Sequence, residues 1–295
     1  MISIITCTGH RPEALRLCQQ FIERQTYKGK IQWIVVSDDP KQPKIYTGRP
    51  ELIVEQYQGP NQWTPEFNTH RGNMDLALNK IAGDKIFIIE DDDWYHPKYI
   101  ETMLGVLNHV DVVGLTHARY YHVGLPGSKQ LNNIQNGALA QTAFNKWAIS
   151  DLRKAVNSGD LLFDLAFWGK RIETKKSYAF LGGMSHLGVG IKGMPGRDGI
   201  TESHRQLRDY LLDPGLTKLK EWMGDDASLY ENFTKRKRRE LAKIEAKNGA
   251  EFEKAMTAIQ EKIANKVPVT VRTKMLDVEK LINKPTPVLS NVNKL

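Results

Sequence analysis

The chain predicts an α/β fold on a mainly parallel sheet, and three observations predict it. Apolar strands alternate with amphipathic helices through the first hundred residues. Three of these strands end in polar groups: Thr6-Cys7-Thr8, Asp38-Asp39, and the acids from Glu90 to Asp93. The last of these, Ile86-Phe87-Ile88-Ile89, runs straight into Glu90-Asp91-Asp92-Asp93-Trp94. In open α/β sheets the ligand crevice lies at the carboxyl ends of the strands, so these polar ends are expected to converge on one site.

In chain order, Ile2–Thr6 reads as a strand, followed by a loop through Gly9 and a helix entered at Pro12. Proline suits the first helical position, and Ala14, Leu15, Cys18, Phe21 and Ile22 supply the helix's apolar face. Ile31–Ser37 is a second strand ending at Asp38-Asp39-Pro40, and Leu52–Glu55 a short third. Asn73–Ala82 reads as helical before the strand Lys85–Ile89. A second half follows, with a strand at Val110–Thr116, polar loops around Gly127 to Gln135, a helix near Asp164–Lys170 and a glycine-rich run from Gly182 to Gly199, of which Gly188–Gly199 reads as a loop. From Leu216 the composition turns to charged helix formers. Phe252, Met256, Ile259 and Ile263 recur at helical spacing, favouring a helical hairpin packed on the main domain, with an extended arm beyond Lys266. The expected division is a main domain over 1–215 and a basic, mainly helical extension over 216–295.

With 295 residues and 40% hydrophobic content the chain can bury a full core. It has no apolar run of the roughly 20 residues that cross a bilayer and no signal-peptide pattern, which predicts a cytoplasmic protein. Cys7 and Cys18 alone support neither a disulfide framework nor a thiolate metal site. The formal charge of +8 is uneven. Residues 216–295 hold 17 Lys+Arg against 11 Asp+Glu, and Lys235-Arg236-Lys237-Arg238-Arg239 is an unbroken basic block. Such a segment suits a polyanion, either nucleic acid or an anionic membrane surface.

The four acids carry the chemistry. Side chains alternate along a strand, and carboxylates packed together repel unless a cation or solvent relieves them. A divalent metal held by oxygen ligands is one such relief. One or two acids at this point would be explained by the dipole of the helix that follows, but four acids after an apolar strand exceed that requirement.

This order of motifs, over residues 1–100, resembles the family 2 glycosyltransferases of GT-A fold. Ile89-Glu90-Asp91-Asp92-Asp93-Trp94-Tyr95-His96-Pro97 is similar to the family's acidic motif, with Glu90 standing where the first Asp is usual. The resemblance implies a Rossmann-like nucleotide-sugar-binding fold and metal-dependent transfer from a UDP-sugar, with Mn²⁺ or Mg²⁺ as cofactor. It places Thr6 and Thr8 along the nucleotide pocket, Asp39 or Asp38 at the base, Arg71 facing the nucleotide, Glu90 and Asp91 at the donor, and Asp92 as the main metal ligand. His204 is implied as a further metal ligand, with His186 second.

An inverting transferase needs a carboxylate to take the acceptor's proton. Phe163-Asp164-Leu165-Ala166-Phe167-Trp168 has the shape of the family's downstream motif, which makes Asp164 the expected base, with Asp160 and Asp151 in reserve. The competing reading is that Asp164 only opens a helix. In the glycine-rich run, Lys192 and Arg197 are expected to meet the donor's phosphates from a closing loop.

The acceptor is read from charge. A basic extension suits DNA, whose phosphates reward Lys and Arg without sequence readout. The chain thus resembles the GT-A enzymes that glycosylate 5-hydroxymethylpyrimidines in phage DNA, with Trp63, Trp94, Trp147, Trp168, Tyr120 and Tyr121 available to stack on an extruded base. The alternatives are a transferase for cell-surface polysaccharide or lipid-linked glycan, with the extension on anionic lipid, and a non-catalytic nucleic-acid-binding protein on a GT-A scaffold.

Overall fold

The computed structural model describes residues 1–64, 68–159, 163–173, 177–197 and 209–264. The first compact unit is Met1–Thr234. Its first half places β1 (Ile2–Thr8), α1 (Pro12–Glu23), β2 (Ile31–Ser37), β3 (Leu52–Gln58), α2 (His70–Leu78), β4 (Lys85–Ile88), β5 (Trp94–Tyr95) and α3 (Tyr99–Leu107) in succession. Next come β6 (Val112–Leu115), β7 (Arg119–His122), β8 (Gly127–Gln130), β9 (Thr142–Asn145), α4 (Ile149–Val156), α5 (Phe163–Glu173), β10 (Tyr178–Leu181), β11 (Gly188–Lys192), β12 (Leu211–Leu212), α6 (Thr217–Met223) and α7 (Ser228–Ala264).

Among the described residues the strands form two sheets. The larger has the order β10-β6-β9-β4-β1-β2-β3. All its pairings are parallel except those of β9, which is antiparallel to both β4 and β6. It is buried on both faces. Ile4, Trp33, Val35, Phe87 and Ile89 pack on one side with Leu15, Cys18 and Phe21 of α1 and Ile100 and Met103 of α3. Ile5, Ile34, Val36, Ile86 and Ile88 pack on the other with Met74 of α2, Leu152 of α4 and Phe167 of α5. A sheet covered on both faces has strands that read as near-continuous apolar runs, which is why Ile31–Val36 and Ile86–Ile89 show no polar alternation. The smaller sheet, β12-β8-β7-β11-β5, pairs β11 parallel to β7 and antiparallel to β5.

Two expectations change. The glycine-rich stretch, expected as a loop, contains β11, a strand buried at all five positions. The hairpin expected after Leu216 is instead the short α6 followed by one continuous helix, α7, of 37 residues. The shift in composition at Leu216 is no break in packing, since Leu219, Trp222, Met223, Ala227, Tyr230 and Phe233 all belong to the main core. Asp226, between α6 and α7, pairs with Arg24 of the loop after α1 and accepts the Trp94 indole N–H at 2.8 Å. That bond anchors the residue immediately after the acidic run. From Lys235 onward the chain forms a second unit, described to Ala264 as the remainder of α7. No helix among the described residues is long and apolar enough to cross a membrane.

Because Leu219 is fully buried, Leu219→Ala is expected to cost about 2–5 kcal/mol in urea unfolding. A change within about 0.5 kcal/mol, as at an exposed position, would mean that residues 216–234 do not share the main core.

Candidate active site

The carboxyl ends of β1, β2 and β4 lie side by side because the three strands are neighbours in parallel register. The acids that follow β4 are almost wholly removed from solvent: Asp91, Asp92 and Asp93 are 1%, 3% and 4% exposed. Such burial is affordable only with partners, and each acid has its own.

Asp91 accepts the Thr8 hydroxyl at 2.6 Å and faces the Arg11 guanidinium at 3.0 Å. Arg11 also reaches Asp92 Oδ2 at 2.6 Å, so one side chain spans two acids from the loop between β1 and α1. Asp93 Oδ1 accepts the backbone N–H of Ile191 on β11 at 2.9 Å. The Glu90 backbone N–H donates to the Tyr95 hydroxyl, which in turn donates to the Ala140 carbonyl at 2.9 Å. Glu90, Asp92 and Asp93 each offer a carboxylate oxygen, and these oxygens lie within 4.8 Å of one another. A compact set of hard oxygen donors fits Mg²⁺ or Mn²⁺.

Burial pushes the Glu90 carboxyl up to about 7 against the pull of Lys192, and the Asp91 carboxyl up to about 6 against Arg11. Burial also holds Asp93 well above its ordinary value. For the two cations burial works the other way. The fields of Asp91 and Asp92 at Arg11, and of Asp92, Asp93 and Glu90 at Lys192, outweigh it and keep both firmly charged.

The residues expected at this site divide. Thr8, Glu90, Asp91, Asp92 and Lys192 come together around it. Asp38 lies at the neighbouring strand end, fully buried, bonded to the Thr69 hydroxyl and held through both oxygens by Arg197 at 2.7 and 2.8 Å. It is therefore covered, and the acid that remains partly open at the end of β2 is Asp39, beside His10 at 3.4 Å. Arg197 rests its guanidinium over the Trp63 ring at 5.2 Å. It is carried there by a segment folded back onto the loop after β1. Its backbone N–H donates to the His10 carbonyl, and Gly196, at φ +104°, comes so close that a Cβ would lie 2.3 Å from that oxygen. Only glycine meets both conditions.

Asp164 opens α5, half-buried. Burial raises its carboxyl against hydrogen bonds from the backbone at Leu165 and Leu139. The Leu139 bond ties it to the turn whose next residue, Ala140, receives the Tyr95 hydroxyl.

Three expectations are not met. Thr6 is fully buried, and its hydroxyl accepts the Trp33 indole N–H at 2.9 Å, inside the core rather than along a pocket. Arg71 donates to the Val156 carbonyl at 2.5 Å and lies over Phe163, tying α2 to α4 and α5. His186 is exposed beside His96, ring centroids 6.1 Å apart, and does not join the three acids. Of the reserves, Asp151 is buried in the first turn of α4; His204 and Asp160 lie outside the described residues. Arg11 is the residue that the sequence reading missed. Its signal was position: a base three residues beyond Thr8, at the carboxyl end of a strand whose neighbour ends in acids.

No family model matches the chain, and no curated protein matches it. Solved structures do. The structure of S. aureus TarS 1–349 in complex with UDP superposes with a TM-score of 0.50 at 13% identity, covering 65% of this chain and 61% of that one. The complex of the same protein with UDP-GlcNAc gives 0.45 at 14% identity, covering 67% and 59%. Longer TarS gives 0.49 at 14%, covering 64% and 36%. The chain thus spans between about a third and three fifths of the structures it matches. TarS is a GT-A-type glycosyltransferase, and the fold here is of that type.

The site predicts a pH dependence in chelator-treated protein. Folding raises the Glu90 pKa from 4.5 to about 7, so its contribution to stability is full below about 4.5 and is lost as pH rises through 7. Glu90→Gln, which stays neutral, is expected to gain stability relative to wild type progressively from pH 4.5 to 7.5 in thermal melts; a pH-independent difference would contradict the assignment. Arg11→Met leaves Asp91 and Asp92 without their cation and is expected to destabilise by about 3–5 kcal/mol near pH 8. The loss should be smaller at pH 5, where Asp91 is protonated.

Proposed function

We propose that the chain is a metal-dependent inverting glycosyltransferase that moves a sugar from a UDP-sugar to an acceptor hydroxyl. The observation that carries this reading is the Glu90–Asp92–Asp93 group, set at adjoining strand ends in a fold of GT-A type. The likeness to a protein solved with UDP supports the choice of donor.

In this mechanism Glu90, Asp92 and Asp93 would hold Mn²⁺ or Mg²⁺, which when bound neutralises charge on the departing diphosphate. Lys192 and Arg197 add positive charge at the two neighbouring strand ends, and Asp39 is the open carboxylate for the base. The acceptor oxygen bonds to the anomeric carbon as the carbon–oxygen bond to the diphosphate breaks. The acceptor's proton passes to Asp164, the half-buried carboxylate in the first turn of α5. The favoured acceptor is a 5-hydroxymethylpyrimidine in DNA. Its support is the basic block on α7, where Lys235, Arg236, Lys237 and Arg239 are exposed.

The test is a mass-spectrometric transfer assay with Mn²⁺, mixed nucleotide-sugars, and duplex DNA with and without 5-hydroxymethylcytosine or 5-hydroxymethyluracil. A hexose or pentose mass on the hydroxymethylated base alone is expected. Slow sugar-nucleotide hydrolysis without DNA modification would move the acceptor to a glycan or lipid, and no metal-dependent turnover would overturn the enzyme reading. Asp164→Asn is expected to lower transfer by about 10²-fold or more while UDP binding persists. Asp92→Asn is expected to abolish metal-dependent UDP binding, read by calorimetry.

A further inference from the structure

Lys192 is the last residue of β11 and is 8% exposed. Its ammonium lies over the Tyr120 ring, 5.6 Å from the centroid. One edge of that ring fills the space over Gly190, where a Cβ would sit 2.5 Å from its Cδ1 and Cε1, so Gly190, Tyr120 and Lys192 form one platform on adjacent strands. The platform faces the acids. Ile191, one residue before, donates its N–H to Asp93, and the carboxylates that act on the Lys192 charge are Asp92, Asp93 and Glu90, the same three that form the oxygen-donor group.

Arg11 and Lys192 therefore have different tasks. Arg11 is bound twice, on Asp91 and Asp92, from the β1 side. Lys192 compensates the three oxygen donors from the β11 side, at the end of a flexible four-carbon stem. A divalent cation arriving there shares the carboxylates with an ammonium already present, and the two cations repel. A diphosphate brings the negative charge that lets both stay.

We infer that Lys192 is the resident counter-ion of the Glu90–Asp92–Asp93 group and a positioning residue that makes metal binding depend on the donor's diphosphate. On this view Lys192 weakens metal binding in the free protein and turns to the diphosphate when metal and donor enter together. The inference rests on the nucleotide-sugar reading of the site. Linkage requires the metal to strengthen diphosphate binding by the same factor as the diphosphate strengthens metal binding.

Mn²⁺ titration of the full chain by electron paramagnetic resonance, with and without UDP, tests it. In wild type UDP is expected to tighten Mn²⁺ by about tenfold or more, the scale of a nearby unit charge at an intermediate dielectric. In Lys192→Met, Mn²⁺ alone is expected to bind about tenfold tighter, with the UDP gain reduced to less than about threefold. Lys192→Arg should behave as wild type. Lys192→Gln provides the same readout if the methionine variant melts early. Unchanged Mn²⁺ affinity and unchanged UDP gain in the neutral variants overturn the inference, as does the absence of Mn²⁺ binding in wild type. UDP binding, followed by calorimetry in the same samples, separates the two readings: UDP bound without such coupling retains the donor site and removes the role of Lys192, whereas no UDP binding at all removes the donor site itself.

Discussion

Four carboxylates buried at the end of a strand constrain the structure more than any other feature. Burial of unpaired charge costs far more than a domain's net stability, so the elements around β4 are arranged to answer Glu90 to Asp93. Thr8 and Arg11 come from the β1 end, the Ile191 N–H and Lys192 from β11, and the turn at Leu139–Ala140 fixes Tyr95 beneath Glu90. The second sheet owes its place to the same requirement, because β11 pairs with β5 immediately after the acids.

The compensation is uneven, and the unevenness assigns roles. Asp91 is satisfied by a hydroxyl and a guanidinium, which suits a residue that holds the loop in shape. Glu90 and Asp93 meet instead the field of Lys192 from the β11 side, and burial still raises both carboxyls. Structural and ligand-binding demands are thus divided among consecutive residues, with Asp92 belonging to both sets.

Where the chain packs sheet against helix, the sequence was legible. Ile31–Ser37 matches β2, and the apolar face of α1 is buried as its spacing requires, because an element covered on one or both faces must carry its burial in its residues. The acidic run was legible as a site for the opposite reason, since nothing in packing calls for it. What stayed hidden depends on distant partners. Thr6 and Thr8 are alike in sequence, but one meets Trp33 and the other Asp91. Arg71 and Arg11 are alike in chemistry, yet only the strand order brings Arg11 to the acids. Charged helix formers after Leu216 masked Leu219, Tyr230 and Phe233, whose core contacts no local pattern announces.

Asp38 shows how far strand-end position alone can mislead. The sheet places it beside the acids, but Arg197 closes over it and takes both its oxygens. The consequence is structural. The segment that follows β11 is pinned to the ends of β1 and β2 by an ion pair, a backbone bond to His10 and the close approach of Gly196. A strand carrying Lys192 toward the acids and a return segment carrying Arg197 to Asp38 thus bring positive charge to two neighbouring acidic strand ends. Removing either lysine or arginine leaves a different acid without its cation, so the two cations are not interchangeable, although only four residues separate Lys192 from Arg197.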